Sequence, residues 1–260
     1  MINTDDMKKL FVSLCLLSLS WACTDDGERI EGGTMGGLRI ACLPSNEAVE
    51  TRTTVNCTLP SVEDFKLTIE GVSLHYTKEW DTIAAFHEDN YLYKGEYKAV
   101  VEAGDVTVEG YDDVAFRGEQ PFTIVARQNT EVAVTAHIAN AMIKVEYTDN
   151  FLNYFTGGHE LALTTAVGRT FDVSRPTEKL LFIAPDSFKV TGTAVKQANA
   201  SGKDPVTVTL PEMSRTGLKP QTIYTVSFDV STAGRTTLEI RLDDSLVESV
   251  EIDEELNENS

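Results

Sequence analysis

From residue 38 onward, apolar and polar positions alternate in short runs broken by turn formers. Leu38, Ile40 and Cys42 make the first run, followed by Phe65, Leu67 and Ile69, and by Val72, Leu74 and Tyr76. Tyr97, Ala99 and Val101 continue the pattern, and Val106 and Val108 repeat it after Gly104 and Asp105. Phe122, Ile124 and Ala126, then Val132, Val134 and Ala136, complete the series. A period of two sends alternate side chains to opposite faces of an extended chain. The runs are rich in β-branched residues and bounded by Gly, Asp, Asn or Pro, which predicts strands. So many short strands within roughly 100 residues predict a β-sandwich.

A second series opens with Met142, Val145 and Tyr147. Strands are expected at 160–165, 179–184, 188–195, 206–210, 223–230, 237–242 and 246–252. Residues 148–155 carry the one helical signal: Thr148 or Asp149 can cap it, Phe151 and Phe155 lie one turn apart, and Gly157-Gly158 closes it. The predicted fold is therefore all-β, with two tandem antiparallel β-sandwich domains over 38–139 and 140–252 and one short helix near 149–156. No Pro/Ser-rich linker separates the halves near 138–142, so they are expected to be rigidly joined. Residues 253–260 read as an acidic tail.

The segment before residue 38 follows other rules. Lys8 and Lys9 precede an apolar run from Leu10 to Ala22, the order of a secretory signal peptide spanning 1–22. The run is shorter than the roughly 20 residues a membrane-spanning helix needs. Ala22 followed by Cys23 resembles the lipobox of bacterial lipoproteins, with Ser20 and Trp21 departing from the stricter form. That resemblance implies acylation at Cys23 and a partner in the membrane through N-terminal acyl chains. Residues 23–37, rich in Gly, Glu and Asp, are expected to be a lipidated flexible tether. The acidic run Thr24-Asp25-Asp26-Gly27-Glu28 is like that of surface-exported Bacteroidota lipoproteins, which implies an outer-membrane lipoprotein facing outward.

The chain carries a net charge of −19. That sign disfavours nucleic acid and anionic lipid as ligands of the domain itself. Of four cysteines, Cys15 lies in the leader and Cys23 at its end. Cys42 and Cys57 remain in an exported setting, where a disulfide is possible and would add about 3 kcal/mol in the chain-entropy picture. Two buried free thiols are the alternative.

A search for chemistry returns no catalytic signature, no cofactor motif and no metal site. His159-Glu160 begins like a zinc-protease helix, but Leu163 stands where the second histidine is needed. Cys42 and Cys57 lack paired zinc-site spacing, and Asp112-Asp113 and Asp243-Asp244 lack calcium-loop spacing. An enzyme is not expected. For binding, Trp80, Tyr91 and Tyr93 lie in a polar segment that reads as a long hairpin or loop, where exposed rings could stack on sugars. Core or hairpin packing is the competing reading.

Several stretches together carry a family likeness: Val49 to Thr54, Glu63 to Ile69, Gly95 to Asp105, Phe122 to Ile124 with Thr130 to Val134, Ile138 to Val145, Tyr147 to Phe155 and Leu218 to Val226. Their order resembles an uncharacterised family of Bacteroidota surface lipoproteins, a domain of unknown function, related in layout to fimbrillin-like and transthyretin-like sandwiches. The resemblance implies a non-enzymatic surface protein of adhesion or assembly, with like subunits or other surface proteins as partners. It also implies that Arg52, just after the first strand, is a site of arginine-specific processing; an ordinary exposed arginine is the alternative. A glycan-binding module of a polysaccharide uptake system is the second functional expectation.

Overall fold

The computed structural model describes residues 34–48, 54–73, 75–86, 90–196, 204–230, 236–242 and 245–251. The signal peptide, Cys23, Arg52, His87, Asp243-Asp244 and the tail at 253–260 lie outside them.

In the N-terminal half the strands are β1 (Met35–Pro44), β2 (Lys66–Gly71), β3 (Thr77–Trp80), β4 (Tyr91–Tyr93), β5 (Gly95–Ala103), β6 (Phe116–Ile124) and β7 (Asn129–Ile138). They bond in the order β3-β2-β5-β6-β7-β1-β4. The ladder narrows between β6 and β7 to two pairs, Phe116 with Ile138 and Arg117 with His137. On either side of that seam the inward residues share one core: Leu38, Ile40, Val132 and Val134 meet Leu67, Ile69, Ala99 and Val101. This is a sandwich made from one sheet, in which the alternating apolar set of every strand is removed from water.

The C-terminal half has β8 (Ala141–Tyr147), β9 (His159–Thr165), β10 (Thr170–Asp172), β11 (Leu181–Ile183), β12 (Ser187–Lys196), β13 (Val206–Thr216), β14 (Ile223–Val230), β15 (Thr236–Leu242) and β16 (Ser245–Glu251). One sheet runs β10-β9-β12-β13 and the other β11-β8-β14-β15-β16. Leu161, Leu163, Val190 and Leu210 of the first face Ile143, Val145, Tyr224 and Val226 of the second. Helix α1 (Ile83–Phe86) belongs to the N-terminal half and α2 (Asp149–Tyr154) to the C-terminal half. Thr148 caps α2, its hydroxyl accepting from the Phe151 N–H at 3.2 Å.

The all-β, two-sandwich architecture stands, with one addition. Pairing is antiparallel except for one parallel pair in each half, β1 with β7 and β8 with β14.

Four local expectations are corrected. Val106 and Val108 form no strand, because the Asp105 carboxylate accepts from the Thr107 N–H at 2.8 Å and its hydroxyl at 2.7 Å and turns the chain. Val72 and Tyr76 belong to the turn that reverses β2 into β3, closed by the Gly71 N–H donating to the Tyr76 carbonyl at 2.8 Å. The tether is expected to reach residue 37, yet β1 already begins at Met35. Gly36 allows this: a Cβ there would stand 2.4 Å from the Val125 carbonyl oxygen, so only glycine admits so close a crossing. Finally, the segment between Tyr76 and Tyr97 is no plain hairpin or loop. It holds β3, α1 and β4, and it buries Trp80, Ile83, Phe86 and Leu92.

Where the halves meet, Asn140 is fully buried. Its side-chain oxygen accepts from the Ala115 N–H at 2.7 Å, and its carbonyl accepts from the Gln221 N–H at 2.8 Å. Met142 and Phe182 of the second half pack in the first core.

Candidate functional site

Strand β1 is the element on which the predicted chemistry of assembly converges. Leu38, Ile40 and Cys42 point inward, while Arg39 and Ala41 point outward beside Glu131 and Ala133 of β7. Pairing with β7 runs from Gly37 opposite Asn129 to Pro44 opposite Ala136. On its other flank β1 pairs with β4 at Met35, Gly36 and Gly37, and the Leu38 N–H donates to the Asn90 carbonyl at 2.8 Å. The outer face over this pair carries a shallow groove of about 680 Å³ lined by Arg39, Ile40, Ala41, Asn90, Glu131, Val132 and Ala133.

The aromatic candidates do not form one face. Trp80 is 9% exposed, its ring edge-on to Phe86 at 5.0 Å and covered by the Lys78 ammonium at 4.9 Å. Of the two readings of Trp80, an exposed stacking ring and a packed core ring, the structure shows the second. On β3, Thr77, Lys78 and Glu79 are exposed and Trp80 alone turns inward, so a polar neighbourhood conceals a core residue. Tyr91 is half-buried and Tyr93 is 61% exposed on β4, at the opposite edge of the strand order from Trp80.

Cys42 and Cys57 are free thiols packed in the same core. Burial pushes the Cys42 thiol up to about 11 and raises that of Cys57. Neither has the thiolate character that nucleophilic chemistry needs. Burial likewise raises the Tyr147 phenol, whose hydroxyl donates to the Val173 carbonyl, with Asp172 adding to the effect. His159 lies on β9 with its ring against Tyr147 and Phe151. Among the described residues no group of three or more His, Cys, Asp or Glu is placed to hold a metal ion.

Sequence reasoning passed over the most organised polar cluster. Glu109, on the loop joining β5 to β6, is fully buried. Its carboxylate accepts from the Thr165 hydroxyl at 2.5 Å and from the Ala184 N–H at 2.9 Å, and its carbonyl accepts from the Arg169 guanidinium at 2.5 Å. Gly110 and Phe182 exchange both backbone hydrogen bonds, at 3.0 and 2.9 Å. Tyr111 then packs edge-on to Phe171 at 6.4 Å. One loop of the first half is thus seated in the second. Beside it opens a cleft of about 430 Å³, with Val55, Cys57, Tyr111, Leu180 and Phe182 among its walls. The local sequence offered one signal, an acidic residue followed by glycine inside an apolar run, and that reads equally well as a solvated turn.

Residues 35–258 match the family described as Domain of unknown function (DUF4493). The chain belongs to that family. The DUF4493 chain is also similar in fold to solved structures of low identity. One is a fimbrial assembly protein from Parabacteroides distasonis, 12% identical, with 80% of this chain and 98% of that chain covered and a TM-score of 0.42. Another is a proposed polysaccharide-binding protein from Bacteroides thetaiotaomicron, 9% identical over 84% of this chain and 99% of that one, TM-score 0.42. A third is a proposed cell-adhesion protein from Bacteroides eggerthii, 10% identical over 78% and 88%, TM-score 0.40. No curated protein matches the chain. Among the described residues, no helix of this DUF4493 protein is long and apolar enough to cross a membrane.

Proposed function

We propose that this DUF4493 chain is a non-enzymatic, lipid-anchored protein of the outer cell surface, acylated at Cys23, that acts in adhesion or assembly. The observation that carries the assembly reading is the setting of β1. It is the first strand among the described residues, it supplies Leu38, Ile40 and Cys42 to the core, and Arg52 follows eight residues after its end at Pro44. A cut after Arg52 severs the covalent link between β1 and the rest. Loss of the strand then leaves Val132, Val134 and the β7 edge open to a strand of a like subunit.

Glycan binding is the weaker reading, because burial of Trp80 leaves Tyr93 as the only one of its three rings that is well exposed. Light scattering after treatment with an arginine-specific protease tests the assembly reading. Growth of polymers from the native chain, and none from Arg52→Gln, is the expected result. A cut chain that stays monomeric overturns it. Cell fractionation tests the anchor: Cys23→Ala should move the protein from the membrane to the soluble fraction.

A further inference from the structure

A sheet ends in strands whose outward N–H and C=O groups can template another chain, and short length or charge keeps them from doing so. The three sheets end in β3 and β4, in β10 and β13, and in β11 and β16. β4, β10 and β11 are three residues long. β3 has four residues, with Lys78 and Glu79 among them, and β16 carries Glu248 and Glu251. β13 differs. It runs for 11 residues and opens with Val206-Thr-Val-Thr-Leu210, a stretch that is uncharged and mostly β-branched. Such a stretch pairs readily with another strand when its edge is open.

Which backbone groups of β13 face outward follows from the ladder. The Val195 N–H donates to the Gly158 carbonyl at 2.8 Å, and the Val195 and Ser187 carbonyls accept from the Gly157 and Ala166 N–H groups at 3.1 and 3.0 Å. The register of β12 with β9 runs from Phe188 to Ala194 without a shift. Odd-numbered residues of β12 therefore turn their backbone groups to β9, and even-numbered ones to β13. Gly192, Ala194 and Lys196 stand opposite Leu210, Val208 and Val206. Those residues of β13 bond inward, and Thr207 and Thr209 turn their N–H and C=O groups to the open flank. The next outward positions in the same phase are Pro205 on one side and Pro211 on the other. Neither has an N–H, and each puts a ring methylene where a donor would stand. Pro211 is also where the bulge begins, and the exposed Glu212 adds a charge behind it.

We infer that Pro205 and Pro211 close the β13 edge against a second copy of this chain. Two copies related by a two-fold axis at Val208 would set Thr207 opposite the second copy's Thr209, and Thr209 opposite its Thr207, with no charge against charge. The next rung on either side sets Pro205 against the second copy's Pro211. Both donors of that rung are missing, and the opposed rings hold the backbones further apart than the roughly 4.8 Å a ladder needs. The ladder cannot grow past the threonines, and no sheet continuous across two molecules forms. This device does not rest on cleavage at Arg52. It keeps uncut chains apart, whereas the assembly reading above concerns cut ones.

Light scattering on the full chain tests this, in a Cys23→Ala, Arg52→Gln background that takes acylation and cleavage out of the comparison. Pro205→Thr combined with Pro211→Thr is expected to self-associate, with a dimerisation constant more than about tenfold above that of the background chain. Amide exchange followed by NMR reads the geometry. In the background chain Val208 and Leu210 should exchange slowly, and Thr207 and Thr209 fast. In the double variant, protection of both threonines should rise with protein concentration. A folded double variant that associates no more than the background chain overturns the inference. So does association that leaves Thr207 and Thr209 unprotected, or slow exchange of the two in a monomeric background chain. A background chain that already dimerises with both threonines protected makes β13 an interface and overturns it as well. Pro205→Thr alone lies outside the β12–β13 ladder and decides the matter if loss of Pro211 unfolds the chain. It should raise association to a smaller extent, and no rise overturns the inference.

Discussion

The Thr165 hydroxyl donates to the Glu109 carboxylate across 2.5 Å, and both residues are closed to solvent. The bond joins a loop of one sandwich to a strand of the other. Removal of the carboxylate strands the Thr165 hydroxyl and the Ala184 N–H in a dry setting. Glu109→Ala is therefore expected to cost about 2–4 kcal/mol, since a buried donor left unmade costs about 1–3 kcal/mol. Glu109→Gln keeps the shape and one acceptor and should cost less. Urea denaturation of the three chains measures the order.

Trp80→Ala is expected to lower stability by about 3–5 kcal/mol, the range for truncating a large buried aromatic. Tyr93→Ala, at an exposed position, should stay within about 0.5 kcal/mol of the parent. Thermal unfolding separates the two. The contrast identifies Trp80 as a core residue even if a glycan ligand is found.

Gly192 lies where β12 passes between β9 and β13. A Cβ there would stand 2.2 Å from the Glu160 carbonyl oxygen. Backbone cannot retreat as a flexible side chain can, so Gly192→Ala should cost about 1–3 kcal/mol through overpacking. The readout is the midpoint of chemical denaturation.

Alkylation of Cys42 follows its burial. Its thiol is pushed up from an ordinary 9.0 to about 11 by desolvation, so it stays protonated in the folded state when the unfolded chain has begun to ionise. The folded state then binds more protons, and this contribution to stability is complete below about pH 9 and lost between there and about pH 11. Folded protein should react slowly with iodoacetamide at neutral pH, and denatured protein quickly. Mass spectrometry of the modified Cys42 and Cys57 peptides reads both rates.

What the chain revealed of its fold depended on how local the cause was. The alternation of Leu38, Ile40 and Cys42, and of Val132, Val134 and Ala136, marks strands because a half-buried strand must alternate. Thr148 marks the start of α2 because capping acts within three residues. β13 was legible only as far as Leu210. Pro211 and Glu212 interrupt the alternation at a register shift opposite β12, and the strand resumes to Thr216. Proline in a strand is tolerated on an edge at such a bulge, and β13 is an edge strand. The burial of Trp80 and Glu109 is not legible locally for one shared reason. Each has neighbours of the opposite character, and its burial is imposed by elements distant in sequence.

The parallel pairing of β1 with β7 sets how the molecule would bear a pull. In the chain uncut at Arg52, if the anchor holds the chain ahead of Met35 and a bound target holds the second half, tension enters β1 at Met35 and leaves through β7 toward β8. The two strands are then drawn past each other along their axes. The bonds from Gly37–Asn129 to Pro44–Ala136 are loaded together, in shear, and do not open one after another. A surface protein attached in this way resists traction through its first strand.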